Sequence, residues 1–476
     1  MDEKSQREHY KQLLITVFKA FHFILSLIIF NLFWYMFRYG KIFPEVEAGF
    51  RYNYFVVFAF AIMLFFFNRT YNSYLLGYTR IRLLAFSEVL SQLFATIAIY
   101  MLVSIAWDHW DNPFWFILMI ICFCCLDILW SYFANMYYFK LYPTKKTILI
   151  YRNELDKRRF GSITGKPSGR LYKVTEELQY DGSFSDLKDK LSGYEAIFVA
   201  GVNSKCRNGI LKYCKEEGIP GFFLPHVGDV IMQKAQHIKS LDSPVLYVNR
   251  STIRPEYRIA KRAFDFMVAL VAIVVLSPVM LITAVAIKLY DGGPAIYKQV
   301  RLTRGGKAFK IWKFRSMRVD AEKDGVARLS SGDNDDRITP IGRFVRKCRL
   351  DELPQLFNIL QGDMSFVGPR PERPEIAEQY YKTIPDFKLR LQVKAGLTGY
   401  AQIYGKYNTD PYEKLEFDLL YINDMNLLTD LMLVFATVSI LFLPESTEGV
   451  AVGATTAIDY ENPADSTEND AETVTK

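Results

Sequence analysis

The chain has 476 residues, half of them hydrophobic and 15% aromatic, and carries a formal charge of +7. Its mean hydropathy is only +0.05, so greasy stretches are segregated from polar ones, and the length allows two or three domains. Six scattered cysteines, three of them inside an apolar run, exclude a disulfide framework and show no zinc spacing with histidines. A reducing, cytosolic face fits.

Five apolar stretches approach or reach bilayer length. They are Leu13–Phe37, Tyr54–Phe67, Phe86–Trp107, Pro113–Phe139 and Phe264–Ile287. The first is too long and aromatic for a cleaved signal, which predicts an uncleaved membrane helix. The first four predict a four-helix transmembrane bundle over residues 1–143. The short segment around Asp108 and Asp111 has no basic residue, whereas Arg69, Arg80 and Arg82, and later Lys140, Lys145 and Lys146, flank the other side. That asymmetry predicts both ends of the bundle on the cytoplasmic face. Arg38, Lys41 and Arg51 in the first loop argue against it and are tempered by Glu45 and Glu47.

Residues 144–250 turn polar and α/β in pattern. Apolar strands are predicted at Thr147–Tyr151, Ala196–Ala200, Gly221–Leu224 and Val245–Val248, with a helix over Ser204–Glu217. This predicts a Rossmann-like parallel sheet. Its first turn, Arg152 to Lys157, lacks the glycines that let a pyrophosphate approach. A regulatory or oligomerisation role, with a homodimer as one outcome, is expected there rather than a nucleotide cofactor.

The fifth apolar run holds Ser277-Pro278 near its middle, and basic residues flank both ends: Arg258, Lys261 and Arg262 before, Lys288 after. Proline breaks the helical ladder, and basic flanks on both sides suit a segment that enters and leaves on one face. A broken, re-entrant membrane helix is therefore expected. Residues 258–443 read as that helix plus a mainly helical membrane-surface domain. The apolar segment Leu431–Leu443 is too short to span and is expected to be interfacial or buried. The tail, 444–476, has eight acids against Lys476 and is expected to be disordered.

The chemistry-bearing residues lie after the fifth run. Between Gly292 and Val319 there is no acid, only a basic strip that includes Lys310, Lys313, Arg315 and Arg318. Such a strip suits pyrophosphate or lipid headgroups; the neighbouring membrane segment argues against nucleic acid. No histidine follows His237, which removes a histidine base or phosphohistidine and leaves a carboxylate as the natural nucleophile. Asp351-Glu352 is the prominent pair. Asp351 is expected to cap a helix over Gln355–Leu360, with Leu353, Leu356, Phe357 and Leu360 as its apolar stripe. The adjacent acid suits Mg²⁺. Pro369-Arg370-Pro371 clamps one guanidinium, a geometry suited to phosphate. Carboxylate, clamped arginine, basic strip and membrane together suggest phosphoryl chemistry on a lipid.

Several motifs then occur in register: Lys261-Arg262 with Asp265, Asp291-Gly292-Gly293-Pro294, Lys313-Phe314-Arg315-Ser316-Met317, Leu350 to Gln355, Gly362-Asp363-Met364-Ser365 and Val367 to Pro371. Over residues 258–443 the chain resembles the bacterial sugar transferases of the monotopic phosphoglycosyl transferase superfamily. With its bundle and α/β segment it resembles the large members, polyprenyl-phosphate hexose-1-phosphate transferases. The resemblance implies transfer of hexose-1-phosphate from a UDP-hexose to undecaprenyl phosphate with release of UMP, the first membrane step of capsule or exopolysaccharide synthesis. It implies Asp351 as covalent nucleophile, Glu352 as the acid that helps hold Mg²⁺, Arg370 between Pro369 and Pro371 as phosphate ligand, Lys313 and Arg315 near the site, and Ser277-Pro278 as the helix break. The implied setting is a bacterial inner membrane, with the catalytic domain cytoplasmic. Ala395 and Lys406 stand where the family usually has Pro and Arg. A single-step transferase and a non-catalytic scaffold for polysaccharide assembly are the alternatives.

Overall fold

The computed structural model describes residues 3–39, 50–106, 108, 110, 112–164, 171–238, 245–248, 255–319, 321, 335, 337–405 and 409–440. The expected acidic tail lies outside these residues. The chain divides into two compact units, Met1–Leu224 and Pro225–Lys476.

The first unit opens with helices α1 (Glu3–Tyr39), α2 (Phe50–Thr70), α3 (Ile81–Ala106) and α4 (Phe114–Leu141). Inside, aromatic rings pack face to face, with Phe30 and Phe60 centroids 4.0 Å apart. Outside, Phe21, Ile24, Phe58, Ile62, Ile117 and Ile121 are exposed. An apolar exterior around a packed interior is the arrangement a lipid solvent demands. His9–Met36, Ile81–Ala106 and Phe114–Leu141 are long and apolar enough to cross a membrane, and Tyr54–Thr70 is a shorter apolar helix.

A parallel sheet follows, in the order β2-β1-β3-β4. Its strands are β1 (Lys145–Tyr151), β2 (Tyr172–Gln179), β3 (Ala196–Ala200) and β4 (Gly221–Phe223). Helices α5 (Glu154–Thr164), α6 (Phe184–Leu187) and α7 (Ser204–Glu216) connect them. Successive strand residues point to opposite faces. Ile148, Ile150, Ile197 and Val199 pack with Leu187, Cys206 and Ile210 on one face, and Leu149, Tyr151 and Phe198 pack with Phe160 on the other. That double burial makes β1 and β3 continuous apolar runs. In the turn after β1, Asn153 Oδ1 accepts from the Asp156 amide at 2.8 Å, and the Asp156 carboxylate fills the space beside Gly201.

Val245–Val248 does not join this sheet. In the second unit, after helix α8 (Val227–Met232), β5 (Gln236–Ile238) and β6 (Val245–Tyr247) form their own antiparallel pair. The apolar pattern marks a strand but carries no information about its partner.

Helix α9 (Pro255–Asp291) follows, a single helix with Pro278 inside it. Ser277 Oγ donates to the Val274 carbonyl at 2.8 Å, one turn back. The expected break at Ser277-Pro278 is thus carried within one helix rather than as two separate ones: proline removes one amide, and the flanking turns keep theirs. Pro255–Tyr290 is also long and apolar enough to cross a membrane, with Val274, Val275, Leu281 and Ile282 exposed. The chain is a membrane protein.

An antiparallel hairpin of β7 (Ile296–Leu302) and β8 (Ala308–Phe314) leads to α10 (Pro340–Lys347) and α11 (Gln355–Gln361). Then come β9 (Ser365–Val367), α12 (Pro374–Thr383), β10 (Gly396–Thr398), α13 (Tyr400–Tyr404), α14 (Pro411–Asp424) and α15 (Leu427–Ile440). The parallel pair β9–β10 brings Gly368 against Gly396 so closely that a Cβ on Gly396 would lie 2.1 Å from the Gly368 nitrogen. Gly368 is bound the same way: its own Cβ would lie 2.4 Å from the Lys394 carbonyl oxygen, so glycine is required in Val367-Gly368-Pro369.

Buried polar groups tie the unit together. Lys261 Nζ donates to Asp430 at 2.8 Å, as do the Tyr257 hydroxyl at 2.7 Å and the Tyr421 hydroxyl at 2.8 Å. Asp265 accepts from the Phe366 amide at 3.1 Å. Arg262 Nη1 and Nη2 donate to two carbonyls in the last turn of α11, those of Ile359 and Leu360, each at 2.6 Å. Asn358 is fully buried; it accepts from the Trp312 amide and donates to the Lys310 carbonyl, both at 2.9 Å. It thus completes the ladder of β8, one residue short of Lys313. Asn358→Leu keeps the volume but strands a buried amide and carbonyl, and should cost about 2–4 kcal/mol. Thermal melting in detergent reads this out; a wild-type midpoint would remove Asn358 from that role.

Candidate active site

Arg349, at φ 53°, turns the chain left-handed and opens a 3₁₀ turn over Leu350–Glu352. Helix α11 starts only after it, with Pro354 as N-cap and no side-chain cap. Asp351 is therefore not the helix cap expected from the sequence. The tighter turn intervenes, and Pro354, lacking an amide, takes the boundary position. The expected single apolar stripe is split as well. Leu353 and Phe357 pack with Met280 and Phe314, while Leu356 and Ile359 enter the main core. A helix apolar nearly all round is buried nearly all round, and this fixes the turn before it.

On this turn Asp351 and Glu352 meet Lys313 from β8. Lys313 Nζ lies 3.9 Å from Asp351 Oδ2 and 3.6 Å from Glu352 Oε1. Arg370 Nη2 donates to Glu352 Oε1 at 3.0 Å, and Arg349 Nη1 is 3.9 Å from Glu352 Oε2. The Asp351, Glu352 and Lys313 side chains are 14%, 12% and 20% exposed, and Arg370 is 38% exposed. The cluster is mostly desolvated, with the guanidinium at its mouth.

The two carboxyls separate electrostatically. Burial pushes Glu352 up, but the charges of Arg370, Lys313 and Arg349 outweigh it and hold the carboxyl well below the usual range. Burial raises Asp351, Lys313 opposes this, and the Glu352 charge adds to it. Among the described residues Asp351 accepts no hydrogen bond. Glu352 is thus a fixed anion tied into cations, and Asp351 a higher-energy carboxylate with oxygens to spare.

The Pro369–Pro371 segment is held carbonyl by carbonyl. The Gly396 amide donates to Pro369 at 2.9 Å, Arg390 Nη2 to Arg370 at 2.8 Å and Arg301 Nη1 to Pro371 at 3.2 Å. Arg390 is 3% exposed; it also meets Asp418 at 2.8 Å and Glu372 at 3.5 Å. Arg349 and Arg390 were not singled out in the sequence. Arg349 stands next to the acidic motif, which is a usable signal; Arg390 has none nearby.

The basic strip divides. Lys298 sits over the Trp312 ring at 4.2 Å, Arg301 braces Pro371, and Lys310 is exposed. Arg315 is buried, with Nη1 packed where a Cβ on Gly293 would be. Of the strip, Lys313 is the member placed on the carboxylates. Ser277 and Pro278 lie within the apolar body of α9.

Residues 256–444 match the sequence profile of the bacterial sugar transferases. The chain belongs to that family. It is 42% identical over 267 residues to the UDP-N-acetylgalactosamine-undecaprenyl-phosphate N-acetylgalactosaminephosphotransferase of Aeromonas hydrophila, covering 55% of this chain and 59% of that one. It is 44% identical over 202 residues to the UDP-glucose:undecaprenyl-phosphate glucose-1-phosphate transferase of Escherichia coli K12, covering 41% of each. With the protein of the same description from Caulobacter vibrioides it shares 39% identity over 191 residues, 39% of this chain and 71% of the relative. The matched stretch thus spans about half the length of the first two relatives. In this member of the bacterial sugar transferase family the profile match contains α9 from Glu256 onward and every residue of the carboxylate cluster.

Proposed function

We propose that this bacterial sugar transferase moves a hexose-1-phosphate from a UDP-hexose to undecaprenyl phosphate through a phosphosugar held on Asp351, as the first membrane step in building a capsule or exopolysaccharide. The observation that carries the reading is the carboxylate pair: one acid pinned as an anion by Lys313, Arg349 and Arg370, the other beside Lys313 and, among the described residues, free of hydrogen bonds.

An Asp351 oxygen attacks the β-phosphorus of the nucleotide sugar. The bond from that phosphorus to the bridging oxygen breaks, and UMP leaves with the oxygen. Lys313 and Arg370 neutralise charge on the transferring phosphate, and their fixed positions avoid reorganisation during reaction. A phosphate oxygen of the lipid then attacks the same phosphorus, the bond to Asp351 breaks, and the carboxylate is restored. Two steps through one nucleophile replace a direct encounter of two anions.

The donor set suits Mg²⁺: neighbouring hard carboxylate oxygens, with Glu352 held ionised and its Oε2 3.9 Å from Arg349, beyond hydrogen-bond range. Glu352 and Asp351 would hold the ion, which supplies charge neutralisation to substrate phosphates. Helix α9 enters and leaves the bilayer on the cytoplasmic side, bent at Ser277-Pro278, and delivers the lipid phosphate to the cluster. Its basic flanks and the supply of nucleotide sugar support this. The parallel sheet of the first unit is a Rossmann-like domain that regulates or assembles rather than binds nucleotide.

The test is a trap. Purified protein incubated with β-³²P-labelled UDP-hexose, Mg²⁺ and no lipid should acquire protein-bound label, which undecaprenyl phosphate then removes. Efficient lipid product with no labelled protein at any time would overturn the covalent step.

A further inference from the structure

The α1–α4 bundle contains a buried polar cluster that the proposed reaction leaves unused. His22 on α1, Glu88 on α3 and Asp127 on α4 each offer a ligand atom, all within 4.8 Å of one another. They are 2%, 1% and 0% exposed. His22 Nε2 lies 3.1 Å from Asp127 Oδ1, and Ser131 Oγ donates to Glu88 Oε2 at 2.9 Å. Gln92, itself buried, gives its amide to Ser26 Oγ at 2.8 Å and adjoins Asp127. After these bonds Glu88 Oε1, Asp127 Oδ2 and Gln92 Oε1 remain buried with no hydrogen-bond partner among the described residues. Two unmatched carboxylate oxygens thus stand beside one imidazole, with the Gln92 side chain next to Asp127.

The charge is unmatched too. Among the described residues no lysine or arginine pairs with Glu88 or Asp127. A protonated His22 would offset one carboxylate and a neutral one neither. Ionised, the two acids would be expensive in a membrane interior, where such residues mark functional sites. A divalent cation removes the deficit and fills the orphan valences together.

We infer that this bundle binds one divalent transition-metal ion through His22, Glu88 and Asp127, with the Gln92 carbonyl oxygen as fourth donor. An imidazole among the ligands favours Zn²⁺, Mn²⁺ or Fe²⁺ over Mg²⁺ or Ca²⁺. The outer contacts fit. His22 Nδ1 is 3.2 Å from the Tyr74 hydroxyl, which also accepts from Asn68 Nδ2 at 3.3 Å. A proton held on Nδ1 leaves Nε2 to ligate. The ion would cross-link three helices of the bundle.

Full-length protein in detergent, prepared without chelator and in excess Mg²⁺, should carry about one zinc, manganese or iron per chain by mass spectrometry of the metals. Glu352→Gln should keep that ion, separating this site from the proposed catalytic one. Glu88→Gln and His22→Gln should lose it. If those variants do not fold, the wild type decides: after stripping with chelator, Zn²⁺ in excess Mg²⁺ should raise its melting midpoint by about 5 °C. Absence of bound metal together with no zinc-dependent shift would overturn the site. So would full metal content in folded Glu88→Gln and His22→Gln.

Discussion

Asp351→Asn should lower UMP release by on the order of 10³-fold or more while leaving the protein as stable as wild type, or more so. The amide has no charged oxygen to attack phosphorus, and no histidine stands downstream to replace it. The stability half follows from the sign of the perturbation. Burial raises the Asp351 carboxyl above its ordinary range, against Lys313, and Glu352 adds to the rise. An acid whose folded-state pKa is raised favours the fold below that pKa, and the benefit is lost as pH climbs through it. At neutral pH the ionised side chain therefore opposes folding, and asparagine removes the opposition. UMP quantification and melting in one detergent check both halves. Turnover within about tenfold of wild type would remove Asp351 as nucleophile; a large loss of stability would make it a structural anchor.

That trade between stability and reactivity was partly visible in the sequence. The adjacent acids, Lys313 and the proline-clamped Arg370 are written as short motifs, and the structure brings them together. The motif does not reveal which acid is pinned. That depends on Arg349, turned by a left-handed backbone, and on the guanidinium of Arg370 choosing Glu352. Arg315 looks like another phosphate ligand in the strip but spends its side chain against Gly293.

The fold shows the same division. Long apolar runs announced α1, α3, α4 and α9, because period and length persist over many residues. Buried β1 and β3 read as unbroken apolar runs. The edge strand β2 (Tyr172–Gln179) did not, because most of its side chains face water and alternate Lys, Thr and Glu with few apolar anchors. Strands β9 and β10 have three residues each, too few for any periodicity. Nor can local pattern announce a pair such as Lys261 and Asp430, 169 residues apart.

Arg390→Met should cost about 3–5 kcal/mol and also reduce turnover, although Arg390 does not touch the carboxylate pair. Its guanidinium is the shared partner of Asp418, Glu372 and the Arg370 carbonyl. Methionine keeps the volume but leaves buried Asp418 without its ion-pair partner and takes one of several cations from Glu372, the costly way to break a buried pair. It also frees the carbonyl that aims Arg370, so phosphate binding should weaken. The pH dependence separates this from a packing defect. Burial already pushes Asp418 up to about 6, against Arg390. Burial also raises Glu372, yet Arg390 and Lys414 bring it below its usual value. Without the guanidinium both carboxyls rise; Glu372 keeps Lys414, Arg301 and Arg370 nearby, whereas Asp418, already above its ordinary range, favours the fold only when protonated. The deficit of Arg390→Met against wild type should therefore be largest near pH 8 and shrink as pH falls toward about 6, because Asp418 of the variant, raised further, takes up its proton before that of wild type does. Melting midpoints of the two proteins across that range measure it. A pH-independent deficit would show that lost packing, not stranded charge, is what the substitution costs, and full activity in folded Arg390→Met would show that Arg370 holds its aim without it.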